Sequence, residues 1–163
     1  MKIVADIGPI IGLAKIARIS LLKELATEVL IPSIVHKELY GKIGPESDQI
    51  DLALNDFIHV VEPESFELNV DEHPLLNLGQ GEKQSILLAS ILKREALLLI
   101  DDQAGRRAAE SLEITVTGLV GLLLLSKERG LIDNVGTLLQ ELRNTGYWLS
   151  DDLITAARKF AGE

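Results

Sequence analysis

The chain has 163 residues, 47% of them hydrophobic, which is enough for one domain with a substantial core and short for two. It contains no cysteine, which excludes disulfide staples, thiolate nucleophiles and cysteine-based zinc sites and leaves only oxygen or imidazole ligands for any metal. The formal net charge of −9, from 16 Lys and Arg against 25 Asp and Glu, argues against broad adhesion to nucleic-acid phosphates, which is driven by the release of counterions to many protein cations.

The apolar run Ile3-Val4-Ala5 reads as a short buried strand closed by Asp6. Gly8-Pro9 then turns the chain, with Pro9 suited to the first helical position, and Ile10, Leu13, Ala14 and Ala17 mark one helix face. A short helix over Leu21 to Ala26 follows, with Ser20 as the expected N-cap and an imperfect capping box at Lys23 and Glu24. Glu28 to Ile31 is strand-like, and Pro32-Ser33 opens a helix to Tyr40 that Gly41 stops. A loop at Gly44-Pro45-Glu46-Ser47 leads to a helix over Asp48 to Asn55, and Phe57 to Val61 forms a third strand. Residues 62–77, with Pro63 and Pro74 and no clear periodicity, read as a long loop or short-helix connection.

A strong helix begins at Gly79-Gln80-Gly81 and runs through Ile86, Ala89, Leu92 and Lys93. The run Leu97 to Ile100 is the most apolar strand, and it ends in Asp101-Asp102. A helix over Arg106 to Leu112, a strand over Ile114 to Val116 and a helix over Leu119 to Lys127 ending at Gly130 come next. Two more helices, Val135 to Arg143 and Asp151 to Phe160, close the chain, the last with Ser150 as N-cap. Strands alternating with helices at this spacing indicate a parallel sheet covered on both faces. An acid interrupts Met1-Lys2-Ile3-Val4-Ala5-Asp6 too early for a signal peptide, and apolar stretches such as Gly118 to Leu125 fall short of the ~20 residues a membrane span needs. A soluble cytoplasmic protein is expected.

Five acids stand where such a fold brings side chains together. In open parallel sheets, ligands bind outside the carboxyl ends of the strands, which is where Asp6 and the Asp101/Asp102 pair fall. Asp6 has a structural alternative as a turn-capping residue before the Pro9 helix. Glu38 shares a helix face with Ile34 and Val35, which keeps it near the core; the plain alternative is a face-edge residue paired with Lys42. Glu82 lies in the first turn of its helix, where the macrodipole favours an acid whatever its function, yet it also shares a stripe with Ile86 and Ala89. Two adjacent acids at the end of a buried strand repel each other, and a cation or a nearby Arg relieves that cost. One of Asp101 and Asp102 suffices as a helix cap, so either is the candidate ligand. Cations lie near these acids in sequence: Lys37 beside Glu38, Lys83 beside Glu82, and Arg106-Arg107 just after Asp101/Asp102. Asp151-Asp152 is explained as first-turn acids after a Ser cap. His36, His59 and His73 have no zinc spacing, Gly79-Gln80-Gly81 is too short for a phosphate-binding fingerprint, and no nucleophile elbow is present.

The segments Ile3-Val4-Ala5-Asp6-Ile7-Gly8-Pro9, Pro32-Ser33-Ile34-Val35-His36-Lys37-Glu38-Leu39, Gly81-Glu82-Lys83-Gln84-Ser85-Ile86 and Leu98-Leu99-Ile100-Asp101-Asp102-Gln103-Ala104-Gly105-Arg106-Arg107 together resemble the PIN-domain family, in particular its prokaryotic branch related to VapC-type toxins. The resemblance runs on through Thr115-Val116-Thr117-Gly118 and the following helix, so it covers nearly the whole chain. It implies a single three-layer α/β/α domain over residues 1–163 around a central, mainly parallel sheet, with 131–163 as a C-terminal helical extension. It implies an endoribonuclease that uses Mg²⁺ or Mn²⁺, with Asp6, Glu38, Glu82 and Asp101 as catalytic acids, Asp6, Glu82, Asp101 and Asp102 as metal ligands, and Lys83, Arg106 and Arg107 toward the RNA. It also implies a homodimer and, for the toxin branch, a small antitoxin protein as partner. In one respect the chain departs from the family pattern: where a hydroxyl residue commonly follows the first Asp, this chain has Ile7-Gly8, and Ile7 has no side-chain donor. That departure keeps a noncatalytic interaction module as the competing reading. A receiver-like phosphoacceptor is weaker, because the Phe57–Val61 strand carries no acid where the phosphorylated Asp is expected.

Overall fold

The computed structural model describes residues 1–42, 44–62 and 70–163. Its centre is a five-stranded, all-parallel sheet: β1 (Lys2–Ala5), β2 (Glu28–Pro32), β3 (Ile58–Val61), β4 (Ala96–Leu99) and β5 (Val116–Thr117), in the spatial order β3-β2-β1-β4-β5. β1 is the middle strand, with Ile3 opposite both Val29 and Leu97. Side chains of a strand alternate between faces, and the core divides accordingly. Ile3, Ala5, Ile31 and Leu99 pack into a cluster with α1 (Ile7–Lys15), α2 (Ser20–Leu25), α4 (Ser47–Asp56) and α7 (Leu119–Glu128). Val4, Leu30, Leu98 and Ile100 pack on the other side with α5 (Gln80–Leu92) and α6 (Gln103–Ser111). The result is a three-layer α/β/α fold. Burial of a side chain such as Leu98, which is fully enclosed, contributes about 1.5–3 kcal/mol.

The last two helices, α8 (Val135–Asn144) and α9 (Asp151–Phe160), put Val135, Leu138, Leu139, Leu142, Ile154 and Ala157 into the same cluster as Ile3. Glu163 ties this segment down, accepting hydrogen bonds from the Val135 and Gly136 N–H groups at 2.6 and 2.9 Å and pairing with Lys127 at 2.8 Å. Partial burial works against the Glu163 charge, but these donors outweigh it and hold the carboxyl below its ordinary range.

Several boundaries differ from the sequence expectation for local reasons. Pro9 stands third in α1, not first, a position whose N–H has no partner within the helix anyway. Ser20 lies inside α2, and Ile19 takes the cap position without a side-chain bond; burial of Ile19, Leu21, Leu22 and Leu25 sets this helix. α6 begins at Gln103 instead of near Arg106, because Asp102 caps it. The strand expected over 114–116 is only Val116–Thr117. Ile114 is spent on closing α6: its N–H returns to the Ala109 carbonyl across Glu113, which sits at φ 59°. Of the connection expected over 62–77, residues 63–69 lie outside the described residues, and the remainder holds a 3-10 turn over His73–Leu75. Among the described residues, no helix is long and apolar enough to cross a membrane.

Candidate active site

The strand order reverses between β1 and β4: the chain builds β2 and β3 on one side of β1, then β4 and β5 on the other. The crevice at the carboxyl ends of those two strands is the expected ligand site of an open parallel sheet. Asp6 follows β1, and Asp101 follows β4 after Ile100. Backbone bonds hold both strand ends in place, from the Asp6 N–H to the Leu99 carbonyl and from the Ile100 N–H to the Thr117 carbonyl, each 2.9 Å.

Asp6 occupies the N-cap position of α1, yet its side chain makes no capping bond. It is 6% exposed, and its Oδ1 is buried without a hydrogen-bond partner. Buried polar atoms are rarely left in that state, so capping does not account for this side chain. Its carboxyl is pushed from the ordinary 3.8 up to about 6, chiefly by burial. The Ile7 N–H works the other way, and the charges of Glu82, Glu38 and Asp101 add to the rise. Three acids drawn from distant parts of the chain thus act on one carboxylate.

Asp101 divides its oxygens between two donors. Oδ1 accepts from the Leu119 N–H at 2.8 Å, at the start of α7, and Oδ2 accepts from the Tyr147 hydroxyl. Burial raises its pKa, while the Leu119 bond and the Arg106 guanidinium oppose the rise. Gly118 makes the Leu119 bond sterically possible, since a Cβ there would stand 2.8 Å from Asp101 Oδ1 and 3.5 Å from an Arg106 guanidinium nitrogen. Asp102 has a different task. Its Oδ2 accepts from the Gly105 N–H at 2.7 Å and caps α6, and the residue is exposed.

Glu82 Oε2 accepts from the Gly79 N–H at 2.7 Å, the half of a capping box that a Gly cap permits. Glu38 is exposed near the end of α3 (Ser33–Tyr40), and its carboxylate lies over the first turn of α5: a Cβ on Gly81 would be 3.2 Å from both oxygens. The ion pairs of the described residues do not join Glu38 to Lys42. Glu38 and Glu82 therefore approach the crevice from the α3 and α5 side. Among the described residues, no group of three or more His, Asp or Glu side chains is arranged to hold an ion as it stands. Glu82 is turned to its cap and both Asp101 oxygens are engaged, while Asp6 Oδ1 is buried without a partner.

A family model described as DUF3368, a PIN domain, matches residues 2–163. The chain belongs to the PIN-domain family. Comparison with curated proteins gives no match. PIN domains are generally nucleases, usually with divalent metals; in this PIN domain Asp6 and Asp101 follow strands, and Glu38 and Glu82 act on Asp6 from two helices. An all-oxygen donor set suits hard cations, and the orphaned Asp6 oxygen fits that use.

The basic residues singled out by sequence are not equivalent in the PIN domain. Arg106 is half-buried and acts on Asp101, Lys83 pairs with Glu72 at 3.7 Å, and Arg107 is exposed. Two residues of the site were given no role from the sequence, Tyr147 and Gly118, the latter noted only as the end of the Thr115–Gly118 segment. Each matters through a carboxylate 17 or more positions away in the chain.

Proposed function

We propose that this PIN domain is a Mg²⁺- or Mn²⁺-dependent endoribonuclease whose ligands are Asp6, Glu82 and Asp101. The observation that carries the reading is the buried, unpartnered Asp6 Oδ1, on a carboxyl pushed toward neutrality chiefly by burial and further by three neighbouring acids. A divalent cation at these acids would lower the pKa of a bound water and offset charge developing on the phosphodiester. Asp101 is held ready by the Leu119 N–H and Tyr147, and Asp102 serves the fold as the α6 cap. Glu82 would hold the cation on giving up its Gly79 bond, and Glu38, more exposed, would accept a proton from the attacking water. Arg106, beside Asp101, is placed for a phosphate oxygen of the substrate, as a charged guanidinium favours.

The negative net charge confines substrate attraction to this local patch, so binding is expected to involve few phosphates and a shallow salt dependence. The toxin role, a small antitoxin and a homodimer rest on the likeness to the VapC-type branch. Exposed Phe160, and a hollow of about 680 Å³ beside it lined by Leu124 and Leu125, are the apolar surface such a partner would cover.

The test incubates the purified protein with single-stranded and structured RNA in Mn²⁺ or in EDTA. Cleavage in Mn²⁺ alone, abolished by Asp6→Asn together with Asp101→Asn, is the expected result. Cleavage in EDTA, or cleavage that survives both substitutions, contradicts the reading. The absence of a preformed three-acid group among the described residues and the Ile7-Gly8 departure favour the second reading, a noncatalytic module. Tight Mn²⁺ binding that disappears on Glu82→Gln contradicts that alternative.

A further inference from the structure

Tyr147 reaches the crevice from the far end of the chain, and its placement is fixed from three directions. The end of α8 closes in a Schellman motif, with the Gly146 N–H bonded to the Arg143 carbonyl at 3.0 Å and the Tyr147 N–H to the Leu142 carbonyl at 3.2 Å. This motif needs a residue in the left-handed region after the cap, and Gly146 supplies it at φ 96°. The ring then lies against α1, where Gly12 leaves the space: a Cβ on Gly12 would be 3.3 Å from Tyr147 Cε2 and 2.8 Å from Leu119 Cδ2. From there the phenol donates to Asp101 Oδ2, while the Leu119 N–H holds Oδ1. A carboxylate gripped at both oxygens has one orientation, and Asp101 is the acid that β4 delivers to the crevice.

We propose that Tyr147 is a positioning residue of the metal site, its hydroxyl orienting Asp101 so that the α8–α9 segment is a working part of the active site as well as a cover for the core. The inference rests on the ribonuclease reading given above, because it assigns Asp101 a ligand role. Donors that orient a metal ligand commonly matter to affinity nearly as much as the ligand itself. Tyr147→Phe removes the hydroxyl and leaves the ring that packs on α1.

The experiment measures Mn²⁺ affinity by calorimetry and kcat and KM for RNA cleavage, in wild type, Tyr147→Phe and Trp148→Phe, with thermal unfolding in EDTA as a check on folding. Trp148 is the adjacent, 84% exposed ring and serves as the control. The expected result is a roughly 10–100-fold loss of Mn²⁺ affinity in Tyr147→Phe, a lower kcat at unchanged KM, and no change in Trp148→Phe. If wild type binds Mn²⁺ and Tyr147→Phe binds it equally well, the positioning role is overturned while the ribonuclease reading stands. If wild type binds no Mn²⁺, both are overturned. Loss of affinity confined to a variant that also unfolds in EDTA at the assay temperature overturns the positioning role in favour of a structural one.

Discussion

Replacing Asp6 by Asn should make the metal-free protein more stable while destroying the activity proposed for it. The Asp6 carboxyl is raised from 3.8 to about 6 in the fold, and at ~1.4 kcal/mol per pH unit this disfavours the folded, charged form by about 3 kcal/mol. Because the folded-state value lies above the unfolded one, the stability tied to this group is fully present below about pH 3.8. Between those two values the unfolded chain releases the proton and the folded chain keeps it, so stability falls as pH rises, and the loss is complete above about pH 6. The amide introduced by Asp6→Asn carries no charge, so the variant escapes this loss. Thermal melts in EDTA should therefore show wild type and Asp6→Asn within about 1 kcal/mol of each other at pH 4. At pH 7.5 the variant should be the more stable by up to about 3 kcal/mol, or roughly 6–12 °C in Tm for a chain of this size. Mn²⁺ should then raise the Tm of wild type and leave the variant unmoved, since only a site that binds the folded form shifts the equilibrium. An Asp6→Asn protein that is less stable than wild type at pH 7.5, or whose advantage is the same at both pH values, would refute the burial of Asp6 among like charges.

Asp101 and Asp102 should separate cleanly. Asp102→Ala loses the α6 cap and about 1 kcal/mol of stability in denaturant titrations, with Mn²⁺ affinity and RNA cleavage retained, whereas Asp101→Asn abolishes both of these. Gly118→Ala forces a methyl to within 2.8 Å of Asp101 Oδ1, so it should cost about 1–3 kcal/mol and weaken Mn²⁺ binding measured by calorimetry. Arg106→Gln removes the cation that opposes the rise of the Asp101 pKa. The pH midpoint of Mn²⁺ binding should move upward in that variant, and KM for RNA should rise.

The architecture was legible because the strong signals agree. Short apolar runs at Ile3–Ala5 and Leu97–Ile100, each closed by an acid and separated by helical periodicity, dictate a parallel sheet with its acids at the strand ends. Local chemistry at the ends of elements was less so. Whether Asp101 or Asp102 caps α6 depends on which way a backbone turns, and the pattern of residue types is the same in either case. Ile114 reads as strand by its side chain, but the left-handed Glu113 commits it to the end of α6. The convergence of Glu38 and Glu82 on Asp6 follows from helix placement across the sheet edge, and their acidity alone is equally consistent with a solvated helix face and a first-turn acid. Tyr147 could not be found from its neighbours in sequence, because its significance lies in an oxygen 46 residues away.

The central claim, that Asp6, Glu82 and Asp101 form one cation site at the carboxyl ends of β1 and β4, is tested most directly by a crystal structure of the protein grown with Mn²⁺ and read by anomalous scattering. The account predicts a peak between the Asp6 and Asp101 carboxylates, with Glu82 swung away from the Gly79 N–H to join them. A peak elsewhere with this crevice empty, or a Glu82 still bonded to Gly79 while Asp6 Oδ1 remains without a partner at saturating Mn²⁺, would contradict it.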